Sequence, residues 1–313
     1  MSKIAIGVVG ASGFVGSACH TALSEVADVR AIKAPRFVSN ARTPAAAHDE
    51  IVEGALRKFS EETLDGIDVL VNAAGLATAT SSDYSALVGA NTILPLFLSR
   101  SAEQAGVKRF VHISSAAVQG RALLDESERL RPESPYAFSK AWGEALLREP
   151  NKTEVIRYRP TSVHGPTRGV TRQLARLAQS PFAAVAAPGT DPTPQVPVES
   201  VAEAVLWLSD LNTEPPSVVL HPWVGTTTAS FLEDLGGGRP HRVPRAVARA
   251  TVEAAFAAER AMGSSRANAR RLEMLLFGQR QTVGWLGGRL RPPPKDWVRR
   301  CGDHAIGAER KGT

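Results

Sequence analysis

Tyr136 and Lys140 are the residues of this chain whose types and spacing best suit proton transfer to or from a carbonyl group. They lie four positions apart on a predicted helix, so their side chains share one face. An ammonium group close to a phenol favours the phenolate and lowers the pKa of the phenol from about 10. We therefore expect Tyr136 to act as a general acid or base near neutral pH, with Ser115 hydrogen-bonding the substrate oxygen. For Tyr136 taken alone, the alternative is an ordinary helical tyrosine.

A glycine-rich turn near the start of the chain suits a dinucleotide cofactor. It follows an apolar segment, residues 4–9, that is typical of a strand buried in a parallel sheet, and it precedes a predicted helix over residues 15–26. In this context the glycines permit a tight turn, a close approach to the pyrophosphate and close packing of helix on strand. The helix amides would then face the phosphates. The cofactor-binding residues expected here are Gly10, Ser12, Gly13, Phe14, Val15 and Gly16. The alternative is a tight turn without a ligand.

The second predicted strand, residues 29–34, bears on the choice of cofactor. An NAD enzyme usually ends this strand with an acidic residue that holds the ribose 2′-hydroxyl, whereas a basic residue accommodates the 2′-phosphate of NADP. Here Lys33 stands near the end of the strand and Arg36 follows, with no acidic residue. The sequence therefore favours NADP over NAD, the alternative being a solvated basic loop.

Later segments bring further candidates to the same edge of the predicted sheet. A buried strand over residues 68–75 ends in small side chains that leave room for the adenosine half of a cofactor, and a long helix over 84–104 carries Asn91. A strand over 108–113 delivers Ser114 and Ser115 to its carboxyl end, where ligands bind in open parallel sheets. The small residues are Ala73, Ala74 and Gly75.

With these motifs the chain resembles the extended short-chain dehydrogenases/reductases, of the NAD-dependent epimerase/dehydratase type that acts on nucleotide sugars. The resemblance covers residues 3–210 and rests also on the segments 110–120, 159–166 and 196–202. It implies that Ser115, rather than Ser114, is catalytic together with Tyr136 and Lys140. It also implies a cofactor site that includes Asn91, Tyr136, Lys140 and Pro160.

The chain departs from the family pattern at several positions. Gln119 and His164 stand where the family usually has Tyr, and Leu94-Pro95 replaces Gly-Thr after the asparagine. Sugar-nucleotide 4,6-dehydratases carry Asp-Glu after the catalytic Ser/Thr, where this chain has Ala116-Ala117. Since alanine moves no proton, dehydration is disfavoured, and epimerisation or ketoreduction remains. The lone histidines His112 and His164 lack ligand spacing, so we expect them to be structural and expect no metal.

Composition narrows the class of protein. A chain of 313 residues can bury a large core, and its two cysteines, Cys19 and Cys301, fit no metal or disulfide pattern. No apolar run is long enough for a membrane span and no signal peptide is visible, so a cytoplasmic protein is expected. The net charge is +6. Two basic groups in the last third are interpreted as a solvated face or a diphosphate site rather than a nucleic-acid surface: Arg239, Arg242, Arg245 and Arg249, then Arg289, Arg291, Lys295, Arg299 and Arg300.

The expected architecture is an α/β doubly wound parallel sheet of the Rossmann type with a smaller C-terminal substrate lobe. Residues 1–165 would form the dinucleotide-binding domain, and residues 166–313 mainly the lobe, with 217–220 returning to the main sheet or its edge. Helices are expected over 201–209, 244–261 and 265–277.

The function expected from these features is that of an NAD(P)-dependent epimerase or ketoreductase acting on a nucleotide-linked sugar. Two alternatives stay open. The first is an NADPH-dependent reductase of a smaller carbonyl compound, and the second is a non-catalytic dinucleotide sensor of the same fold. Such sensors typically lack a Tyr/Lys pair. A homodimer is compatible with the sequence.

Overall fold

The computed structural model describes residues 3–51, 53–77, 83–262 and 267–310 of the chain. The strands in these ranges are β1 (Ala5–Val9), β2 (Asp28–Ile32), β3 (Val69–Asn72), β4 (Arg109–Ile113), β5 (Glu154–Arg159), β6 (Ser162–His164), β7 (Ala184–Ala186), β8 (Gln195–Pro197), β9 (Val218–Leu220) and β10 (His241–Val243). Six of them form one parallel sheet in the order β2-β1-β3-β4-β5-β9.

Helices cover both faces of this sheet. The described helices are α1 (Phe14–Ser24), α2 (Pro44–His48), α3 (Glu53–Thr63), α4 (Tyr84–Val88), α5 (Leu94–Gln104), α6 (Pro135–Leu146), α7 (Gly169–Gln179), α8 (Val198–Ser209), α9 (Thr228–Gly236), α10 (Arg245–Ala261), α11 (Ala267–Phe277) and α12 (Trp297–Arg310). Each helix in the described ranges is too short or too polar to cross a membrane.

The large sheet sends alternate side chains into two cores, which explains its nearly continuous apolar strands. Val69 and Val71 of β3 pack with α1 and α8 on one face, whereas Leu70 packs with α3 and α5 on the other. Because side chains of a strand alternate between faces, a strand covered on both sides must be apolar throughout. The expected doubly wound parallel sheet is confirmed.

The predicted long helix over residues 84–104 is wrong in one respect. It is divided into α4 and α5 by a π-helical turn, Gly89–Ile93. Pro95, in the first turn of α5, has no backbone N–H to donate to the carbonyl of Asn91, so the ordinary α-helical bond at this point is lost. A Cβ on Gly89 would lie 1.9 Å from the Phe37 carbonyl oxygen, so only glycine permits this packing of the turn.

The second half of the chain builds smaller units around the sheet. Strands β6 and β8 pair in parallel, as do β7 and β10. Helices α7, α9 and α12 share an apolar cluster, and α10 and α11 share another. The predicted return of residues 217–220 to the sheet edge is confirmed by β9, and the helices expected over 201–209, 244–261 and 265–277 are confirmed as α8, α10 and α11, although residue 265 lies outside the described ranges. The domain boundary at residue 165 stays a prediction.

Candidate active site

A cavity of about 290 Å³ opens at the carboxyl ends of β3, β4 and β5. Its wall combines the ends of these strands, the start of α6, the turn after β6 and one face of α11. Of the candidate residues, it includes Val15, Ala73, Ala74, Gly75, Ser115, Tyr136, Lys140 and Pro160. The structure thus brings the three candidate catalytic side chains and part of the candidate cofactor site to one cavity.

The glycine turn between β1 and α1 has no room for a side chain at Gly10 or Gly16. Gly10 has a φ of +81°, and its carbonyl oxygen accepts a hydrogen bond from Gly13 N at 2.9 Å. A Cβ on Gly16 would lie 2.0 Å from the Gly10 oxygen. Phe14 begins α1, whose first amides therefore lie beside this turn. The glycines are therefore needed for the close packing of strand, turn and helix, which is the geometry that fits a dinucleotide pyrophosphate at the amino-terminal end of α1.

Tyr136 stands in the first turn of α6, opposite the end of β4. The helix begins after Ser134, whose Oγ accepts a hydrogen bond from Ala137 N at 3.2 Å. Ser115 caps the short 3₁₀ turn 116–119 in the same way, accepting from Ala117 N at 3.2 Å. Two local caps thus fix the backbone on either side, and the Ser115 hydroxyl faces the Tyr136 phenol closely enough to lower its pKa in part.

Lys140 lies one turn further along α6 and is buried. Its Nζ donates to the Ile113 carbonyl oxygen at the end of β4, at 3.0 Å. Burial lowers the pKa of Lys140 to about 8, while the charge of Glu144 works in the opposite direction. At neutral pH the ammonium therefore keeps its proton at the edge of the cavity.

The expected lowering of the Tyr136 pKa by Lys140 is wrong for this structure. Burial raises the pKa of Tyr136 above its ordinary value, and the opposing contributions come from the Ser115 hydrogen bond and from the charge of Arg168. The Lys140 ammonium instead donates to a strand carbonyl. The phenol is consequently held in its protonated form, which is the form of a general acid.

Asn91 joins α6 to the loop after β3. Its Oδ1 accepts from Leu76 N at 3.1 Å, and its Nδ2 donates to Leu76 O and to Ser139 Oγ, both at 3.0 Å. A Cβ on Gly75 would lie 2.7 Å from Asn91 Oδ1 and 3.1 Å from Lys140 Nζ. Asn91 itself is fully buried, so its side chain orders the wall of the predicted cofactor site.

A buried ion pair anchors α6 to the strands of the sheet. Glu144 and Arg159 have fully buried side chains, with Arg159 Nη2 donating to Glu144 Oε2 at 2.6 Å. Ser114 Oγ donates to the other carboxylate oxygen at 2.5 Å, and Arg159 also donates to the Ser127 carbonyl oxygen. These contacts tie α6 to the ends of β4 and β5, which carry the cavity wall.

Some candidate residues stand away from the cavity wall. Ser12, Lys33 and Arg36 are exposed, and Lys33 directly follows the last residue of β2. The two histidines predicted to be structural are buried and hydrogen-bonded. His112 bonds Asn72, and His164 bonds several partners, including Gln195 and Thr171. Burial lowers the pKa of His164 to about 4.

The cavity wall also contains residues that the sequence analysis did not select: Arg168, Arg270, Arg271, Met274 and Gln279. Residues 270–277 were predicted only as part of a helix, since nothing in the sequence shows that α11 faces the cavity, and Gln279 follows that helix. The two basic groups that were selected lie elsewhere, with Arg245 paired to Asp191 and Arg291 paired to Glu203. The sequence signal that could have identified Arg168 is its position two residues after the family segment 159–166.

Comparison with known proteins gives a consistent family assignment. The model of the NAD dependent epimerase/dehydratase family matches residues 6–212. A UDP-glucose 4-epimerase of Vibrio cholerae is 36% identical over 95 residues, a match that covers 28% of this chain and 28% of that enzyme. The matched part thus spans less than a third of that curated relative.

Solved structures of low sequence identity share the fold over nearly the whole chain. MoeE5 in complex with UDP-glucuronic acid and NAD has a TM-score of 0.63 at 19% identity, covering 99% of this chain and 100% of that one. UDP-glucuronic acid 4-epimerase from Bacillus cereus, in complex with NAD, has a TM-score of 0.64 at 17% identity, covering 96% of each chain. Because the family model matches about two thirds of the sequence, the chain belongs to the NAD dependent epimerase/dehydratase family.

Proposed function

We propose that the protein is an NAD(P)-dependent oxidoreductase or epimerase that acts on a nucleotide-linked sugar through hydride transfer. The observation that carries this proposal is the convergence of Ser115, Tyr136 and Lys140 on one cavity beside the β1–α1 turn. Relatives and structural neighbours that bind or act on UDP-sugars support the substrate class.

In the proposed reaction, Tyr136 gives a proton to the substrate oxygen, or takes one from it, while a nicotinamide cofactor supplies or accepts the hydride. The Ser115 hydroxyl, which faces Tyr136, would hydrogen-bond that oxygen and so hold it in position for proton transfer. Lys140 contributes a protonated ammonium at the cavity edge, where it would hold a cofactor ribose. Ala116 and Ala117 offer no acid or base for elimination of water.

NADP(H) is expected to bind more tightly than NAD(H), because Lys33 and Arg36 are exposed just beyond β2 with no acidic residue there. A charge-assisted contact to phosphate is worth about 1.5–3 kcal/mol, so the double variant Lys33→Ala/Arg36→Ala should weaken NADPH far more than NADH. Fluorescence titration with both cofactors measures this. Equal affinities in the unmodified protein would refute the preference, and Lys58→Ala, on α3, serves as the control for loss of a surface charge.

Ketoreduction and epimerisation are separated by cofactor turnover. A reductase consumes one NADPH per product, whereas an epimerase returns the hydride to the same sugar and shows no net redox change. The predicted preference for NADPH slightly favours reduction. We therefore expect a 4-keto nucleotide sugar to cause stoichiometric loss of nicotinamide absorbance from NADPH.

A second reaction offers the saturated nucleotide sugar without added cofactor. Interconversion of sugars under those conditions would overturn reduction in favour of epimerisation. Activity confined to smaller carbonyl compounds would contradict the sugar substrate. Cofactor binding with no turnover of any of these compounds would indicate a dinucleotide sensor.

A further inference from the structure

Arg168 occupies a special position in the cavity wall. It lies between β6 and α7, immediately before the first residue of that helix. Its guanidinium stacks on the Phe14 ring with 5.4 Å between Cζ and the ring centroid, and one Nη donates to the Val163 carbonyl oxygen. Phe14 and the β6 strand thus fix the side chain on the same wall as Tyr136.

The charge of Arg168 is not neutralised within the described ranges. No described carboxylate forms an ion pair with it; besides the Phe14 ring and the Val163 carbonyl oxygen, its charge acts on the nearby Tyr136 phenol. The side chain is half-buried, and a cation withdrawn from water is costly unless an anion or several acceptors replace the water. Stacking on Phe14 and the bond from Nη1 to Val163 leave Nε and Nη2 without a described hydrogen bond, and this edge of the planar guanidinium can bind a carboxylate through a pair of hydrogen bonds.

The other partly buried arginine of the cavity differs in this respect. Arg270 donates to Glu273 at 2.7 Å and to Gln279 at 2.5 Å, so its fork is already engaged. Arg271 is exposed. The helix α7 begins directly after Arg168 without a capping side chain, so its amino-terminal end adds positive potential at the same place.

We infer that Arg168 binds a carboxylate of the substrate next to the reacting carbon, so that the enzyme selects nucleotide-linked uronic acids over neutral hexoses. The inference rests on the proposed function. If the reacting oxygen contacts Tyr136, a group that reaches Arg168 must be attached near the reacting carbon. The diphosphate of a nucleotide sugar is instead attached to the anomeric carbon, and the engaged Arg270 and exposed Arg271 lie on the separate wall formed by α11.

The test compares two ligands that differ only in this group, UDP-glucuronic acid and UDP-glucose. Binding is measured by titration calorimetry with saturating NAD. All variants carry Tyr136→Phe, because this substitution blocks turnover. Arg168→Met should weaken UDP-glucuronic acid by about 10- to 100-fold, the worth of a charge-assisted hydrogen bond, and UDP-glucose by less than about 3-fold. Arg168→Lys keeps the charge without the fork and should fall between.

Arg172→Met is the matched control, since Arg172 lies one turn further on α7, outside the cavity wall, and bonds the Thr167 carbonyl oxygen. It should change neither affinity, and thermal unfolding checks that each variant folds. Equal losses for both sugars would assign Arg168 to the diphosphate, and a loss of NAD affinity would assign it to the cofactor. Either result overturns the inference while leaving the proposed function intact. Failure of the unmodified protein to bind any nucleotide sugar would overturn both.

Discussion

Replacing Tyr136 by Phe is expected to reduce turnover by about 10²–10⁴-fold while leaving cofactor affinity nearly unchanged. A positioned proton donor contributes rate acceleration of this size, and phenylalanine removes the hydroxyl without emptying the volume of the ring. The Ser134 cap and the packing of α6 do not involve that hydroxyl, so the fold is retained. Steady-state kinetics with the substrate, together with titration of the cofactor, measure both quantities.

Lys140→Ala provides the contrast to this variant. We expect it to reduce both turnover and cofactor affinity, because the ammonium is placed at the cavity edge beside Gly75. Retention of most activity by Tyr136→Phe would show that another group transfers the proton. Equal defects in both variants, including in cofactor binding, would indicate that Tyr136 holds the cofactor rather than acting as acid or base.

Breaking the buried pair of Glu144 and Arg159 is expected to cause a large loss of stability. Arg159→Met leaves the carboxylate of Glu144 buried, with Ser114 as its remaining hydrogen-bond partner among the described residues. An uncompensated buried charge costs about 3–5 kcal/mol of the free energy of unfolding. Chemical denaturation followed by circular dichroism measures this loss. The charge of Glu144 also acts on Lys140, which is expected to hold the cofactor. Displacement of Glu144 in the same variant should therefore lower cofactor affinity.

An exposed pair is the appropriate control. Arg291 donates to Glu203 at 3.1 Å but is 86% exposed, so Arg291→Met should cost less than about 1 kcal/mol. The double variant Arg159→Met/Glu144→Leu removes both charges and should recover much of the stability lost by the single variant. A loss below 1 kcal/mol for Arg159→Met would show that the site admits water and relaxes.

The sheet could be predicted from sequence because its signals are local. Strands such as β3 carry consecutive apolar residues, Val69 to Val71, since both faces are covered, and glycine marks the turn before α1. The π-helical turn could not be predicted from periodicity, because it depends on the Pro95 position together with the packing of Gly89 against a distant carbonyl. The residues of the candidate site likewise include some with a local sequence signal and some without one.

Residues close to a sequence motif were found, whereas those placed by tertiary packing were missed. Tyr136 and Ser115 meet because Ser115 follows the end of β4 and Tyr136 lies in the first turn of α6, the helix that bonds the end of that strand through Lys140. Arg270 reaches the cavity only because α11 returns from far along the chain and bonds the Gly120 carbonyl oxygen. Burial likewise raises the Tyr136 pKa and the charge of Arg168 opposes that rise; neither effect is visible in the spacing of Tyr and Lys.

The π-helical turn at Gly89–Ile93 sets the angular phase between the two helices that it joins. Its wider loop takes up one residue more than an α-helical turn, and each residue of an α-helix advances the direction of the side chains by about 100°. Shortening the turn by one residue would therefore rotate α4 against α5 by roughly that angle. Leu87, now buried, would turn away from its neighbours, and Asn91 could no longer meet both Leu76 and Ser139. The length of this segment is thus as constrained as its composition, so an insertion or deletion here is expected to disrupt the site more than most substitutions would.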